Sequence, residues 1–226
     1  MRYTYYGQSC FAVQIKGKSI LFDPFITGNP LAKDIDVNKI KADYILVSHG
    51  HQDHILDLIS IAGRTGAKVV SNFEIIGWLA KQGIRNGHPM NHGGKWTFDF
   101  GTVKYVNAIH SSSFADGSYA GNPGGFVINS EEGTFYFTGD TALTTDMQVI
   151  PRFFKLDFSV MCVGDAFTMG YEEALMAAEM VQCKKVIGVH YDTFDLIKLD
   201  KRASQEYFAK AGYQLLLPEI GETIDV

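Results

Sequence analysis

Three of the chain's seven histidines stand within six consecutive residues, His49-Gly50-His51-Gln52-Asp53-His54. If the chain stays extended here, residues two apart project to the same side, so His49 and His51 can converge on one cation. Asp53 and His54 fall where a helix begins and can turn toward a second cation nearby. Imidazoles joined by a carboxylate form a ligand set suited to Zn²⁺, with Mn²⁺, Fe²⁺ or Ni²⁺ also compatible. A plain polar loop would need neither this density of histidines nor the buried strand that precedes it.

Elements able to position such a cluster can be read around it. Tyr44–Val47 is a continuous apolar run of strand length that stops at Ser48, immediately before the histidines. Asp53–Arg64 carries Ile55, Leu58, Ile59 and Ala62 at helical spacing and reads as one helix. Upstream, Arg2–Tyr6, Cys10–Ile15 and Ser19–Asp23 read as strands, with Gly7 and Gly17 as turn signals. Lys68–Ser71 reads as strand and Ile75–Gln82 as helix. The second half begins with strand-like Lys95–Phe100, Val103–Ala108, Gly125–Asn129 and Thr134–Phe137. Strands at Phe158–Val163 and Val186–Val189, helices at Glu172–Val181 and Lys201–Ala211, and a terminal strand in Glu222–Val226 follow. Strands cluster early in each half and then alternate with helices. That suits two mixed sheets packed face to face with helices outside, although periodicity alone does not separate this from other α/β arrangements.

A chain of 226 residues suits one domain, residues 1–226, and its 46% hydrophobic and 20% charged residues are ordinary for a globular fold. The net charge of −5, without a basic block, argues against a nucleic-acid partner. A cleft holding two dications would still accept a small anionic substrate. Cys10, Cys162 and Cys183 show no C-x-x-C pairing and read as buried free thiols of a reducing compartment. The N-terminus lacks a basic region followed by an apolar core, and no apolar run approaches the roughly 18 residues of a spanning helix. Cytoplasm is the expected location, and a homo-oligomer is compatible with the sequence.

The H-x-H-x-D-H signature at a strand end resembles the metallo-β-lactamase superfamily. The resemblance covers essentially the whole chain and implies the four-layer αββα sandwich with a dinuclear metal site at one edge of the sheets. It also implies three later ligands, and residues of those types occur in order after strand-like runs: His110, Asp140 and His190. Carried over, one cation would be held by His49, His51, His110 and Asp140, the other by Asp53, His54, Asp140 and His190. Asp140 would be the bridge. Alone, His110 or His190 at a strand end would more often be structural, and Thr138-Gly139-Asp140-Thr141 a plain turn. The ordered set reverses those readings.

The runs Asp23-Pro24-Phe25, His110-Ser111-Ser112-Ser113-Phe114, Gly139-Asp140-Thr141-Ala142 and Phe167-Thr168-Met169-Gly170 narrow the resemblance. They are similar to a branch of metal-dependent hydrolases related to ascorbate-6-phosphate lactonases and to the phospholipase D that cleaves N-acylethanolamine phospholipids. That relationship favours phosphate-bearing esters or lactones. This chain has Gln8 where many members of the branch place His, so a role for that His does not carry over. Asp23, at a strand end, is expected either to accept a hydrogen bond from a ligand histidine or to cap a turn. Asp165, at another strand end, is a candidate to line the cleft. His88 and His92 read as solvated loop histidines, and Gly121–Gly125 as either a cleft loop or a turn. Phe114 and Tyr119 are candidate pocket aromatics.

The chemistry so implied is hydrolysis. Two cations about 3.5–4 Å apart share a water and lower its pKa from 15.7 toward about 7. The resulting bridging hydroxide attacks a carbonyl carbon or phosphorus, Asp53 orients it and accepts its proton, and the cation pair stabilises the oxyanion. Lactone, phosphodiester and thioester bonds all fit. No G-x-S-x-G elbow offers a serine nucleophile. The alternatives are a diiron redox protein or a metal-dependent sensor on the same scaffold. Flavo-diiron reductases resemble this fold but generally carry Glu in place of His51 and add a flavodoxin domain. Nucleases of this type add a clamping domain that no stretch here resembles.

Overall fold

The architecture was obtained as a computed structural model describing residues 1–226. Fourteen strands form two seven-stranded mixed sheets. The first sheet takes β1 (Arg2–Gly7), β2 (Cys10–Ile15), β3 (Lys18–Phe22), β4 (Tyr44–Leu46), β5 (Lys68–Asn72) and β6 (Gly87–Met90). The second takes β7 (Lys95–Phe98), β8 (Gly101–Asn107), β9 (Gly124–Ser130), β10 (Gly133–Phe137), β11 (Phe158–Cys162), β12 (Lys185–Val189) and β13 (Gln214–Leu216). β14 (Thr223–Asp225) returns to the first sheet beside β1. Both sheets are built alike, an antiparallel meander continued by parallel strands: β3 to β6 in one, β10 to β13 in the other.

Period-two alternation decides which side chains meet. In β2, Phe11, Val13 and Ile15 face the second sheet, whereas Cys10 and Ala12 face outward under helices. Ile20 and Phe22 of β3 point inward and Leu21 outward; Leu46 points inward and Ile45 outward. The inner layer is aromatic. Phe11 stacks on Phe22 with ring centroids 4.4 Å apart, and Phe137 from the second sheet meets both edge-on at 5.1 and 5.6 Å. The outer apolar face of the first sheet is closed by α1 (Gln52–Ile55), α2 (Leu58–Thr65) and α3 (Phe73–Lys81), through Ile55, Leu58, Ile61, Ile75 and Leu79. α4 (Tyr171–Met180) and α5 (Lys201–Lys210) cover the second sheet through Ala174, Ala177, Ala178 and Phe208. This is the expected αββα sandwich. No helix is long and apolar enough to cross a membrane. All three cysteines are buried and free, and burial pushes the Cys162 thiol up to about 11.

Two sequence expectations change. The helix expected over Asp53–Arg64 is broken into α1 and α2 at Asp57. The Asp57 carboxylate accepts hydrogen bonds from the backbone amides of Ile26 and Thr27 and from Thr27 Oγ1, at 2.6, 2.9 and 2.6 Å. That demand from a distant loop overrides the helical periodicity. The Gly/Asn/Pro stretch around His88 contains an edge strand, β6, paired to β5. His88 packs against Trp96 and Phe98, while His92 stacks on Tyr105 and donates to the Pro123 carbonyl at 2.8 Å. Both histidines therefore serve packing rather than standing in solvent.

Candidate metal centre

Every candidate ligand lies just beyond the carboxyl end of a strand, and the pairing of the sheets brings those ends together. β4 delivers His49 and His51 with α1 carrying Asp53 and His54; β8 leads to His110, β10 to Asp140 and β12 to His190. The connections are tight. Gly139 has φ +61°, and a Cβ there would sit 2.8 Å from the Gly124 carbonyl oxygen and 2.9 Å from Ser48 Cβ. Only glycine allows the chain to turn Asp140 inward against β9 and Ser48. Gly164 faces His190 in the same way, since a Cβ would meet the His190 carbonyl oxygen at 2.1 Å.

The side chains gather into two groups: His49, His51 and His110, and Asp53, His54, Asp140 and His190. Asp140 Oδ2 lies between them, 2.9 Å from His190 Nε2, 3.1 Å from His54 Nε2, 3.8 Å from His110 Nε2 and 4.0 Å from His49 Nε2. Asp53 Oδ2 is 3.5 Å from His54 Nε2 and 3.7 Å from His190 Nε2. His49 Nε2 faces His51 Nδ1 at 2.9 Å. Among the buried polar atoms of the cluster, His54 Nε2 and Asp140 Oδ1 have no hydrogen-bond partner. Buried groups are ordinarily satisfied, and convergent lone pairs left over in one place are what a cation would satisfy. The donor set fits one or more divalent ions.

Electrostatics sorts the same residues. Burial pulls the His49, His51 and His110 pKa values down, which keeps their lone pairs free. Burial also opposes charge on His54 and His190, but the surrounding carboxylates, Asp140 foremost with Asp53, together outweigh it and both pKa values rise, His190 to about 9. Asp53 and Asp140 are held well below the usual carboxylate range because the surrounding imidazoles outweigh their burial. A cation entering the four-residue group would displace those protons and take over the role of countercharge.

Asp23 is tied to the cluster from behind. Its Oδ2 accepts from His54 Nδ1 at 2.8 Å and from Ser48 Oγ at 2.5 Å, and its Oδ1 accepts from the Ser48 amide at 2.8 Å. Ser48 Oγ in turn lies 2.9 Å from His49 Nδ1. One buried carboxylate thus fixes His54 with Nε2 directed at the site and, through Ser48, orients His49. Asp23 thus accepts a hydrogen bond from His54, one of the candidate ligands. Replacing Asp23 with Ala should weaken zinc affinity by about 10–100-fold. It should also lower thermal stability, because Ser48 and His54 lose a buried acceptor. Competition with a chromophoric chelator, beside a melting curve, checks both, and unchanged zinc affinity would refute this role.

Gln8 is the residue whose role the sequence left open. Its Nε2 donates to Asp53 Oδ2 at 2.9 Å, and its carbonyl accepts from the His190 amide at 2.9 Å. It therefore steadies one candidate ligand by side chain and another by backbone. Gln8, Asp23 and His190 all have left-handed backbone, with φ 52°, 41° and 59°. Such strain in non-glycine residues, gathered at one sheet edge, is typical of functional sites.

Other expectations move. Asp165 does not line the cleft: with φ 63° its exposed carboxylate turns back to accept from the Ala166 amide at 2.7 Å. Phe114 is buried against Trp78, and Tyr119 donates to Asn122 Oδ1, so neither lines the cleft. Gly121–Gly125 is the turn into β9, packed on Asn72, whose Nδ2 donates to the Ala120 carbonyl. The cleft wall comes instead from Phe25, Leu56, Phe167 and Phe194. Phe167 belongs to the run Phe167-Thr168-Met169-Gly170 that the sequence already marks, whereas nothing local marks Phe194.

Residues 18–191 match the family model described as "Beta-lactamase superfamily domain". A metal-dependent hydrolase of Christiangramia forsetii is 54% identical over 227 residues, spanning 100% of both chains. One of Flavobacterium johnsoniae is 53% identical over 226 residues, again 100% of both. Igni18, a metallo hydrolase from Ignicoccus hospitalis, superposes with a TM-score of 0.89 at 34% identity, covering 99% of this chain and 97% of that one.

Proposed function

The chain belongs to the metallo-β-lactamase superfamily, among its metal-dependent hydrolases, and from that premise we propose that it hydrolyses an ester-type bond of a small molecule with two divalent cations, zinc foremost. The observation that carries this reading is the position of Asp140 Oδ2, within 4.0 Å of imidazole nitrogens from both groups. In this reading His49, His51, His110 and Asp140 hold one cation, and Asp53, His54, Asp140 and His190 hold the other. Bound there, such a pair supplies a water acidified from 15.7 toward about 7 and a Lewis acid for the substrate oxygen.

The chain's own residues do the rest. Asp53, only partly buried, presents its carboxylate to the cleft while Gln8 holds Oδ2, so it can orient a water and accept a proton. Asp23 keeps the proton of His54 on Nδ1. Leu56 and Phe167 border the same cleft.

Zinc-loaded protein assayed against a lactone, a thioester and a phosphodiester should turn over at least one of them. That turnover should vanish on chelation and return with zinc, with metal content followed by elemental analysis. A fully loaded protein inert toward all three classes, or turnover that survives metal removal, would overturn the reading.

A further inference from the structure

The cleft in front of the candidate metal centre has a volume of about 570 Å³, enough for a whole small molecule. Its lining is unusual for a site of anionic recognition. No Lys or Arg contributes; the ionisable side chains are His51, Asp53, His110, Asp140 and His190, all of which belong to the centre itself. The remaining wall is Phe25, Leu56, Phe167 and Phe194, with Gly28, Gln52 and Ser111. Phosphate or carboxylate groups are ordinarily held by an Arg fork, a Lys or a helix N-terminus. Here the first turn of α1 presents the Asp53 carboxylate instead. Along the Phe194 loop, Lys198 faces Asp195 at 3.9 Å, and Lys201 faces Glu219 at 3.6 Å and Asp192 at 3.9 Å, and neither lysine lines the cleft.

Phe167 and Phe194 are exposed, 51% and 39%, at the mouth of this cleft. Their presentation is built into the backbone. Asp165 and Ala166 are consecutive left-handed residues, φ 63° and 54°, immediately before Phe167. This strained turn is closed by the Asp165 amide donating to the Met169 carbonyl at 3.1 Å. It is anchored to the Asp140 loop by the Met169 amide donating to the Thr141 carbonyl at 3.0 Å. Phe194 follows Asp192, also left-handed at φ 65°, whose Oδ1 accepts from the Leu199 amide at 3.0 Å. Two strained loops, hung from the segments that carry Asp140 and His190, thus hold aromatic rings open to solvent beside the reacting position. Strain of this sort persists where a function uses it.

We propose, building on the hydrolytic reading above, that the substrate is an uncharged ester or lactone bearing an aromatic or branched apolar group, which lies against Phe167 and Phe194. The anionic, phosphate-bearing substrate favoured by sequence resemblance has no countercharge in this cleft beyond the centre itself. Phe167 and Phe194 are specificity residues: they bind the apolar group and leave the bond-breaking step to the centre.

The test uses two matched esters, 4-nitrophenyl phenylacetate and its 4-carboxyphenylacetate analogue, with bis(4-nitrophenyl) phosphate as a third substrate. Alongside, phenylacetamide and 4-carboxyphenylacetamide are titrated into zinc-loaded and metal-free protein by ligand-observed NMR. The neutral ester should exceed the anionic ones by at least about ten-fold in kcat/KM, and the neutral amide should bind more tightly in both metal states. Phe167→Ser and Phe194→Ser should each raise KM for the phenylacetate ester and weaken phenylacetamide binding by about ten-fold, with zinc content retained. Preference for an anionic member, or binding indifferent to both substitutions, overturns the proposal while leaving hydrolysis intact. Phenylacetamide binding that depends on Phe167, in a loaded protein inert toward these esters and toward the lactone and thioester above, upholds the apolar subsite and overturns the hydrolytic reading.

Discussion

Replacing Asp140 with Ala should leave a protein that no longer retains zinc through dialysis and whose turnover falls by more than about 100-fold. The lower bound follows from ligand chemistry: partners one bond removed from a metal already cost about 10–100-fold when deleted. In the proposed centre Asp140 would stand inside that shell. Its Oδ2 belongs to the four-residue group, 2.9 Å from His190 Nε2, and also lies 3.8 Å from His110 Nε2 of the other group. Its Oδ1 is buried without a partner. Asp140→Asn sharpens the test, because it keeps the shape and one acceptor oxygen but removes the charge that holds His54 and His190 in place. If charge at the junction matters, Asn should behave like Ala in zinc retention. Elemental analysis and circular dichroism on the same preparations separate loss of metal from loss of fold. Wild-type zinc content in the Ala variant would refute the bridging role.

What the sequence showed of this site follows from how local each determinant is. The cluster His49–His54 was legible because its ligands are neighbours in the chain and the apolar run before them declares the strand that aims them. His110, Asp140 and His190 were legible only as an ordered set, since one histidine or aspartate at a strand end carries little information. The sandwich itself was legible from strand and helix order, and the period-two split of Phe11 from Ala12 shows why such a pattern suffices. The break at Asp57 was not, because its cause is a hydrogen-bonding demand from Ile26 and Thr27, some thirty positions away. Nor was the contact between Gln8 and Asp53, which spans 45 positions and depends on the closure of two loops. Asp165 failed as a cleft residue for a related reason: its left-handed backbone, invisible in residue type, turns its carboxylate away and presents Phe167 instead.

Asp53 carries the second large effect. Asp53→Ala should lower kcat by about 10²–10⁴-fold, the range expected when a positioned proton acceptor is removed, while the domain stays folded. Two proposed roles meet in this residue, and the measurements part them. As a ligand, Asp53 belongs to the four-residue group, so its loss should release the cation of that group and leave the one held by His49, His51 and His110. Zinc content should then fall toward one ion per chain at low free zinc. As a proton acceptor, Asp53 acts from the cleft, where its side chain remains 24% exposed and its Oδ2 is steadied by Gln8 Nε2 at 2.9 Å. Raising free zinc until both positions refill should therefore restore metal content without restoring turnover. Asp53→Asn discriminates further, since an amide can still accept one hydrogen bond and coordinate weakly but cannot take a proton at neutral pH. If refilled Asp53→Asn recovers wild-type kcat, Asp53 is a ligand alone, and proton transfer must be assigned elsewhere in the cleft. If both variants stay slow when fully loaded, the carboxylate itself takes part in breaking the bond.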